Sequence, residues 1–226
     1  MTAGPSLPPA DRETVRRSSA EHAARYIRRL IFDGALGPGE RVPQDEVARV
    51  LGISRIPVRE ALIALEREGR VTIELHRGAF VSTISPVIVR DHYDLYGTIC
   101  GFAARRALTR GGPDLADRLR RASDAMACCD DPVEFSRLAV EFNRTVLSEA
   151  GNPRIDLIVH SLAVLVPGPF FAEVPAAMGL QRKGVAAISR AARRGDQEAV
   201  AAEYERLMRQ VGDKVVALFG AKGLFG

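Results

Sequence analysis

The stretch Leu51-Gly52-Ile53-Ser54-Arg55-Ile56-Pro57-Val58-Arg59-Glu60-Ala61-Leu62 decides the reading of this chain. Gly52 stands where a helix ending at Leu51 needs a left-handed residue. Ser54 stands where the next helix needs a side-chain oxygen for its first free amides. Two helices are thus joined by a three-residue turn. Pro57 falls in the first turn of the second helix, where its missing N–H removes no intrahelical bond. Val58, Ala61, Leu62 and Leu65 follow at i, i+3, i+4 and i+7 as one buried stripe. Arg55 and Arg59, four apart, share a flank away from that stripe, near the N-terminal end with which a recognition helix meets base edges.

Upstream, residues 1–17 are rich in Pro, Gly and Arg without periodicity and read as a disordered arm. Ser18 and Glu21 form a capping box. Ala23, Tyr26, Ile27, Leu30 and Ile31 then recur at helical spacing up to Gly34. Gly37-Pro38-Gly39 forces a turn, and a second helix is expected over 43–51 with Val47 and Leu51 inward. Downstream, residues 71–75 alternate as a strand and 79–83 can return beside it. His76-Arg77-Gly78 is the turn between them, with Gly78 free to take positive φ.

The string Ser54-Arg55-Ile56-Pro57-Val58-Arg59-Glu60-Ala61-Leu62 resembles the Ser-Arg-Thr-Pro-Val-Arg-Glu-Ala-Leu signature of GntR-family bacterial transcription regulators, departing only at Ile56. The resemblance implies a winged helix-turn-helix over 18–84. Its expected DNA-contacting residues are Ser54, Arg55, Pro57, Arg59, His76, Arg77 and Gly78. Arg77 at the wing tip suits a backbone or minor-groove contact, and His76 reads equally as an exposed turn residue. Many relatives carry Arg where this chain has Asp45, and an acid there cannot neutralise phosphate.

Residues 87–222 show helical periodicity and no convincing strand, with helices expected at 87–109, 114–129, 132–150, 153–165, 171–193 and 197–219. The fold class expected is mainly α: the winged domain with a small two-stranded wing, then an all-α bundle of about six helices. This half resembles the ligand-sensing FCD domain of the FadR subgroup, through residues 91–105, Phe142-Asn143-Arg144 and Gly151-Asn152-Pro153-Arg154. The resemblance implies a homodimer on palindromic double-stranded operator DNA, acting as a repressor under a small-molecule effector. Where many such domains ligate a metal, this chain has Ala139, Asn143, Val185 and Leu207, and three of these are aliphatic. No metal and no other cofactor is therefore expected, and the effector is expected to have apolar surface. Tyr96, Asn143, Arg144, Arg182 and Tyr204 are the candidate effector contacts. Each reads equally as a satisfied core residue or a solvated one.

Composition fits this and excludes other classes. Hydrophobic content of 46% and charged content of 27% are those of a soluble globular protein. The net charge of +4 is too small to argue DNA binding by itself, so the placement of arginines must carry it. Cys100, Cys128 and Cys129 form no Cys-x-x-Cys pair, which suits a reducing cytoplasm and a structural role. No apolar run is long enough for a membrane span. No nucleophile elbow, phosphate-binding loop or Ser/His/Asp cluster argues for an enzyme. An effector-independent or architectural DNA-binding protein is the alternative.

Overall fold

A computed structural model describes residues 11–112 and 114–226, with side chains from residue 19 onward. The chain divides into two compact units at Thr83/Ile84. The first contains α1 (Asp11–Phe32), α2 (Gln44–Leu51), α3 (Arg55–Arg67), β1 (Val71–Glu74) and β2 (Gly78–Val81). The expected arm is thus helical from Asp11, and Ser18 lies inside α1 and does not cap it. The rest of the arm, residues 1–10, lies outside the described residues. Gly52 takes φ 64° and its N–H closes on the carbonyls of Ala48 and Arg49, ending α2 as its position requires. Ser54 occupies the N-cap of α3 in extended conformation, but its side chain makes no capping bond, contrary to expectation.

The core of this unit joins Ala23 and Ile27 of α1, Val47 of α2, the α3 stripe Val58, Ala61, Leu62 and Leu65, and Val71, Ala79 and Val81 of the wing. Burial of that stripe fixes which flank of α3 faces out. A second clamp holds the far end of α3: Glu68 accepts two bonds from Arg28 at 2.8 and 2.7 Å and one from Arg70 at 3.1 Å. Burial pushes the Glu68 carboxyl up, but the Arg28 hydrogen bonds and the charges of Arg28 and Arg70 outweigh it and hold it below its ordinary value. The strands pair antiparallel, Val71 opposite Val81 and Glu74 opposite Gly78. They are shorter than expected, so Leu75 joins the tip and Gly78 begins β2. His76 adopts φ 61° there and Gly78 φ 111°.

The second unit contains α4 (Pro86–Arg110), α5 (Leu115–Ala127), α6 (Pro132–Ala150), α7 (Pro153–Leu162), α8 (Phe170–Glu173), a 3-10 turn (Pro175–Ala177), α9 (Met178–Arg193) and α10 (Gln197–Ala221). Ser85, Asp131 and Asn152 each cap a helix whose first residue is proline, and Asp131 accepts from the Glu134 N–H at 2.7 Å. The single helix expected over 171–193 is broken: the chain turns at Pro175, which has no N–H to continue α8. In the first turn of α8, where N–H groups have no intrahelical acceptor, the Phe171 N–H donates to the Ser136 hydroxyl at 3.0 Å.

α4 and α10 approach closely because both carry glycine at the contact. A Cβ on Gly97 would lie 3.0 Å from the Glu205 Cα, one on Gly101 3.1 Å from the Ala201 carbonyl, and one on Gly212 2.8 Å from the Tyr93 Cβ. Among the described residues no helix is long and apolar enough to cross a membrane.

Candidate nucleic-acid interface and ligand cavity

In the first unit a cleft of about 770 Å³ lies between the start of α2, the exposed flank of α3 and the wing, lined among others by Arg41, Gln44, Asp45, Arg55, Arg59 and His76. Arg59 is exposed and has no ion-pair partner among the described residues. Arg41 is likewise exposed and without such a partner, and its guanidinium passes close to Gly78, where a Cβ would come 3.0 Å from its Nε. Arg55 differs, because its Nε meets the Asp45 carboxylate at 2.5 Å. Both side chains are mostly exposed, so water screens the pair and its effect falls on where Arg55 points more than on stability.

The expected DNA-contacting residues are placed unequally. Arg55, Arg59, His76 and Gly78 line the cleft, and Ser54 is exposed at its N-cap with its hydroxyl uncommitted to the helix. Pro57, by contrast, is buried within the first turn of α3 and presents no exposed side chain to the cleft. Arg77 is exposed at the tip, paired with Glu74 and stacked 5.4 Å over the Phe80 ring. Arg41 and Gln44 were missed as cleft residues. The only signal for them was their place in and just after the Gly37-Pro38-Gly39-Glu40-Arg41-Val42 loop.

The second unit holds a cavity of about 460 Å³ walled by α4, α6, the 163–171 segment, α9 and α10. Tyr96 and Asn143 line it. Tyr204 backs it, fully buried, with its hydroxyl donating to Asn143 Oδ1 at 3.2 Å. The other two candidate effector contacts lie elsewhere. Arg144 is exposed in a groove between α5 and α6, 3.8 Å from Glu141. Arg182 stacks 5.2 Å over the Phe135 ring and donates to the carbonyls of Met126 and Cys129 and to Asp130, which satisfies the C-terminal end of α5. Gln181, one residue before it, lines the cavity and is among the polar residues there that the sequence did not single out. Its signal was weak: a neutral amide beside a more conspicuous charge.

The family model described as bacterial regulatory proteins, gntR family, matches residues 19–81, and the FCD domain model matches residues 91–210. This chain belongs to the GntR family, in the subgroup built with an FCD domain. An uncharacterized HTH-type transcriptional regulator of Mycobacterium tuberculosis is 30% identical over 151 residues, 67% of this chain and 62% of that protein. The chain thus spans less than two thirds of the length of that HTH-type relative. The HTH-type transcriptional repressor RspR of Escherichia coli is 37% identical over 83 residues, 37% of this chain and 36% of that one. Among solved structures, a GntR-family regulator of Pseudomonas syringae aligns with TM-score 0.56 and 23% identity over 95% of this chain and 98% of that chain. McbR/YncC of E. coli aligns with TM-score 0.60 and 16% identity over 90% and 98%. At such identities these structures speak to the fold alone. The relatives named are regulators, not enzymes.

The metal bound by many FCD domains does not fit this GntR chain. Of the four corresponding positions, Ala139 and Asn143 line the cavity, while Val185 and Leu207 are buried. Leu207 packs on Gly184 so tightly that a Cβ there would lie 2.6 Å from its Cδ2. One amide and three aliphatic side chains supply no ligand set for a transition metal.

Proposed function

We propose that this chain is a cytoplasmic DNA-binding transcription regulator which lays α3 in the major groove and reads an inverted-repeat operator as a homodimer. The observation that carries the reading is the unpaired guanidinium of Arg59 on the exposed flank of α3, in a cleft it shares with Arg41. An arginine so placed can bind guanine O6 and N7 or a neighbouring phosphate. Ile56, 54% exposed at the start of α3, offers an apolar surface suited to a thymine methyl. Arg77 and His76 at the wing reach the backbone or minor groove beside it.

The homodimer is supported by apolar side chains left open on α4 at a spacing of seven: Ile88, Leu95 and Phe102 are each about half exposed. Repression is the sign supported by the partial likeness to RspR. A small molecule with apolar surface, held in the cavity of the helical unit, sets DNA affinity. Selection from a randomised double-stranded library, repeated with Arg59→Ala and Leu95→Asp/Phe102→Asp proteins, tests this. The wild type should enrich an inverted repeat, and both variants should lose it. Enrichment of a single unrepeated half-site by a monomer would refute the dimeric reading. The loss of the family's metal ligands favours a second reading, an effector-independent regulator, for which no ligand would alter thermal stability.

A further inference from the structure

The cavity in the helical unit is lined mostly by apolar side chains, with a few uncharged polar groups among them. Gln181 is only 4% exposed, yet its amide makes no hydrogen bond to any described residue. No buried side-chain nitrogen or oxygen among the described residues lacks both a partner and access, so this amide opens into the cavity. It brings two N–H donors and one carbonyl acceptor into a site that is otherwise mostly apolar, and leaving them unmet is costly. Asn143 uses its Oδ1 to accept from Tyr204, which leaves its amide N–H groups for another partner. The Tyr96 phenol makes no hydrogen bond to a described residue either. Burial, aided by the neighbouring Cys100 and Tyr93, pushes its titration up, so it remains a neutral O–H.

A counter-charge is missing. Arg137 is the one charged lining residue among the described ones, and it is held by Glu134 at 2.9 and 2.7 Å and by Glu141 at 3.0 Å on the exposed side of α6. A carboxylate, sulfonate or phosphate entering here would lose its water and gain no free cation. We propose that the cavity binds an uncharged, largely apolar molecule bearing a neutral group that pairs with an amide, such as a carbonyl, amide or N–H, and that Gln181 and Asn143 read that group. The inference rests on the reading of this unit as a ligand sensor.

Two fluorescent probes with one skeleton separate the alternatives in the full chain: uncharged N-phenyl-1-naphthylamine and its anionic counterpart 1-anilinonaphthalene-8-sulfonate. The uncharged probe should bind at least about tenfold more tightly, equivalent to one power of ten in Kd. Its signal should vanish in Ala139→Trp, which fills the cavity, and in Ala163→Trp, which blocks it from an exposed rim position that the fold tolerates. Gln181→Leu should weaken the uncharged probe, and Gln181→Lys should narrow or reverse the preference by supplying the missing cation. Equal or tighter sulfonate binding, lost in the filling variants, would overturn the proposed ligand class and leave the sensor reading standing. An uncharged-probe signal that survives both filling variants, or a Gln181→Lys protein with an unchanged preference, would overturn the site or the part given to Gln181. Failure of both probes to bind would remove the sensor reading as well.

Discussion

On the proposed reading of α3, Asp45 bears on DNA through Arg55. Its carboxylate sits 2.5 Å from the Arg55 Nε at the entrance to the reading helix, so a nearby phosphate meets an acid and a committed guanidinium where it would otherwise meet a free arginine. Asp45→Ala should raise affinity for non-specific DNA, and if Arg55 then takes one phosphate, the slope of log K against log salt should steepen by about 0.9. An unchanged slope, measured by fluorescence anisotropy over a salt series, would show that the pair does not restrain Arg55. Ser54 makes the opposite kind of test. Because it forms no capping bond, Ser54→Ala should leave thermal stability nearly unchanged, and any loss of DNA affinity would then report a direct contact. At this scale the sequence was uneven in what it disclosed. Arg55 and Arg59 were legible because the buried stripe of α3 dictates which flank faces out. The burial of Pro57 was not legible, because a residue that marks a helix start need not lie on its surface. Arg182 drew notice by its charge, although that charge is spent on the end of α5.

The α2–turn–α3 element was readable in its placement because Gly52, the N-cap position of Ser54 and the apolar spacing agree on it, although the capping bond expected of Ser54 is not made. By contrast, the beginning of α1 was not, since residues 11–17 lack an apolar period and gave no sign of helix. The break at Pro175 was written in the sequence but was outweighed by helical spacing on both sides. Two elements carry testable stability. The Arg28–Glu68–Arg70 clamp ties α3 to α1, and Glu68 is held below its ordinary value. The sign follows from linkage: the unfolded chain binds the proton more readily, so the contribution is full above about pH 4.3, the unfolded carboxyl range, and is lost as pH falls through the lower folded value. Glu68→Gln should lower the melting temperature at pH 7 and flatten the acid-side loss of stability of the winged unit. An identical acid profile in wild type and variant would contradict the assignment. In the helical unit, Gly212→Ala sets a methyl 2.8 Å from the Tyr93 Cβ, and overpacking of this kind typically costs about 1–3 kcal/mol. Calorimetry showing no loss would mean that α4 and α10 separate freely.

For the whole molecule, the residues proposed to read DNA and those proposed to sense a ligand lie in separate compact units, and the proposed function requires these to communicate. The donor set at 139, 143, 185 and 207 makes chelator treatment an informative control: melting temperature and DNA affinity should not change. A fall in either would place a metal on residues other than these four. A ligand that prefers the folded chain should raise the melting temperature in proportion to its occupancy and alter operator affinity in the same concentration range. Operator recognition, as proposed, rests above all on Arg59, whose guanidinium is unpaired on the exposed flank of α3. Its most direct test is the affinity of wild-type and Arg59→Ala proteins for the library-selected operator, with circular dichroism confirming that the variant is folded. Loss of a guanine contact is worth about 1–3 kcal/mol, so affinity should fall roughly 5- to 150-fold while non-specific binding changes far less. A folded Arg59→Ala protein that binds the operator as tightly as the wild type would contradict the account.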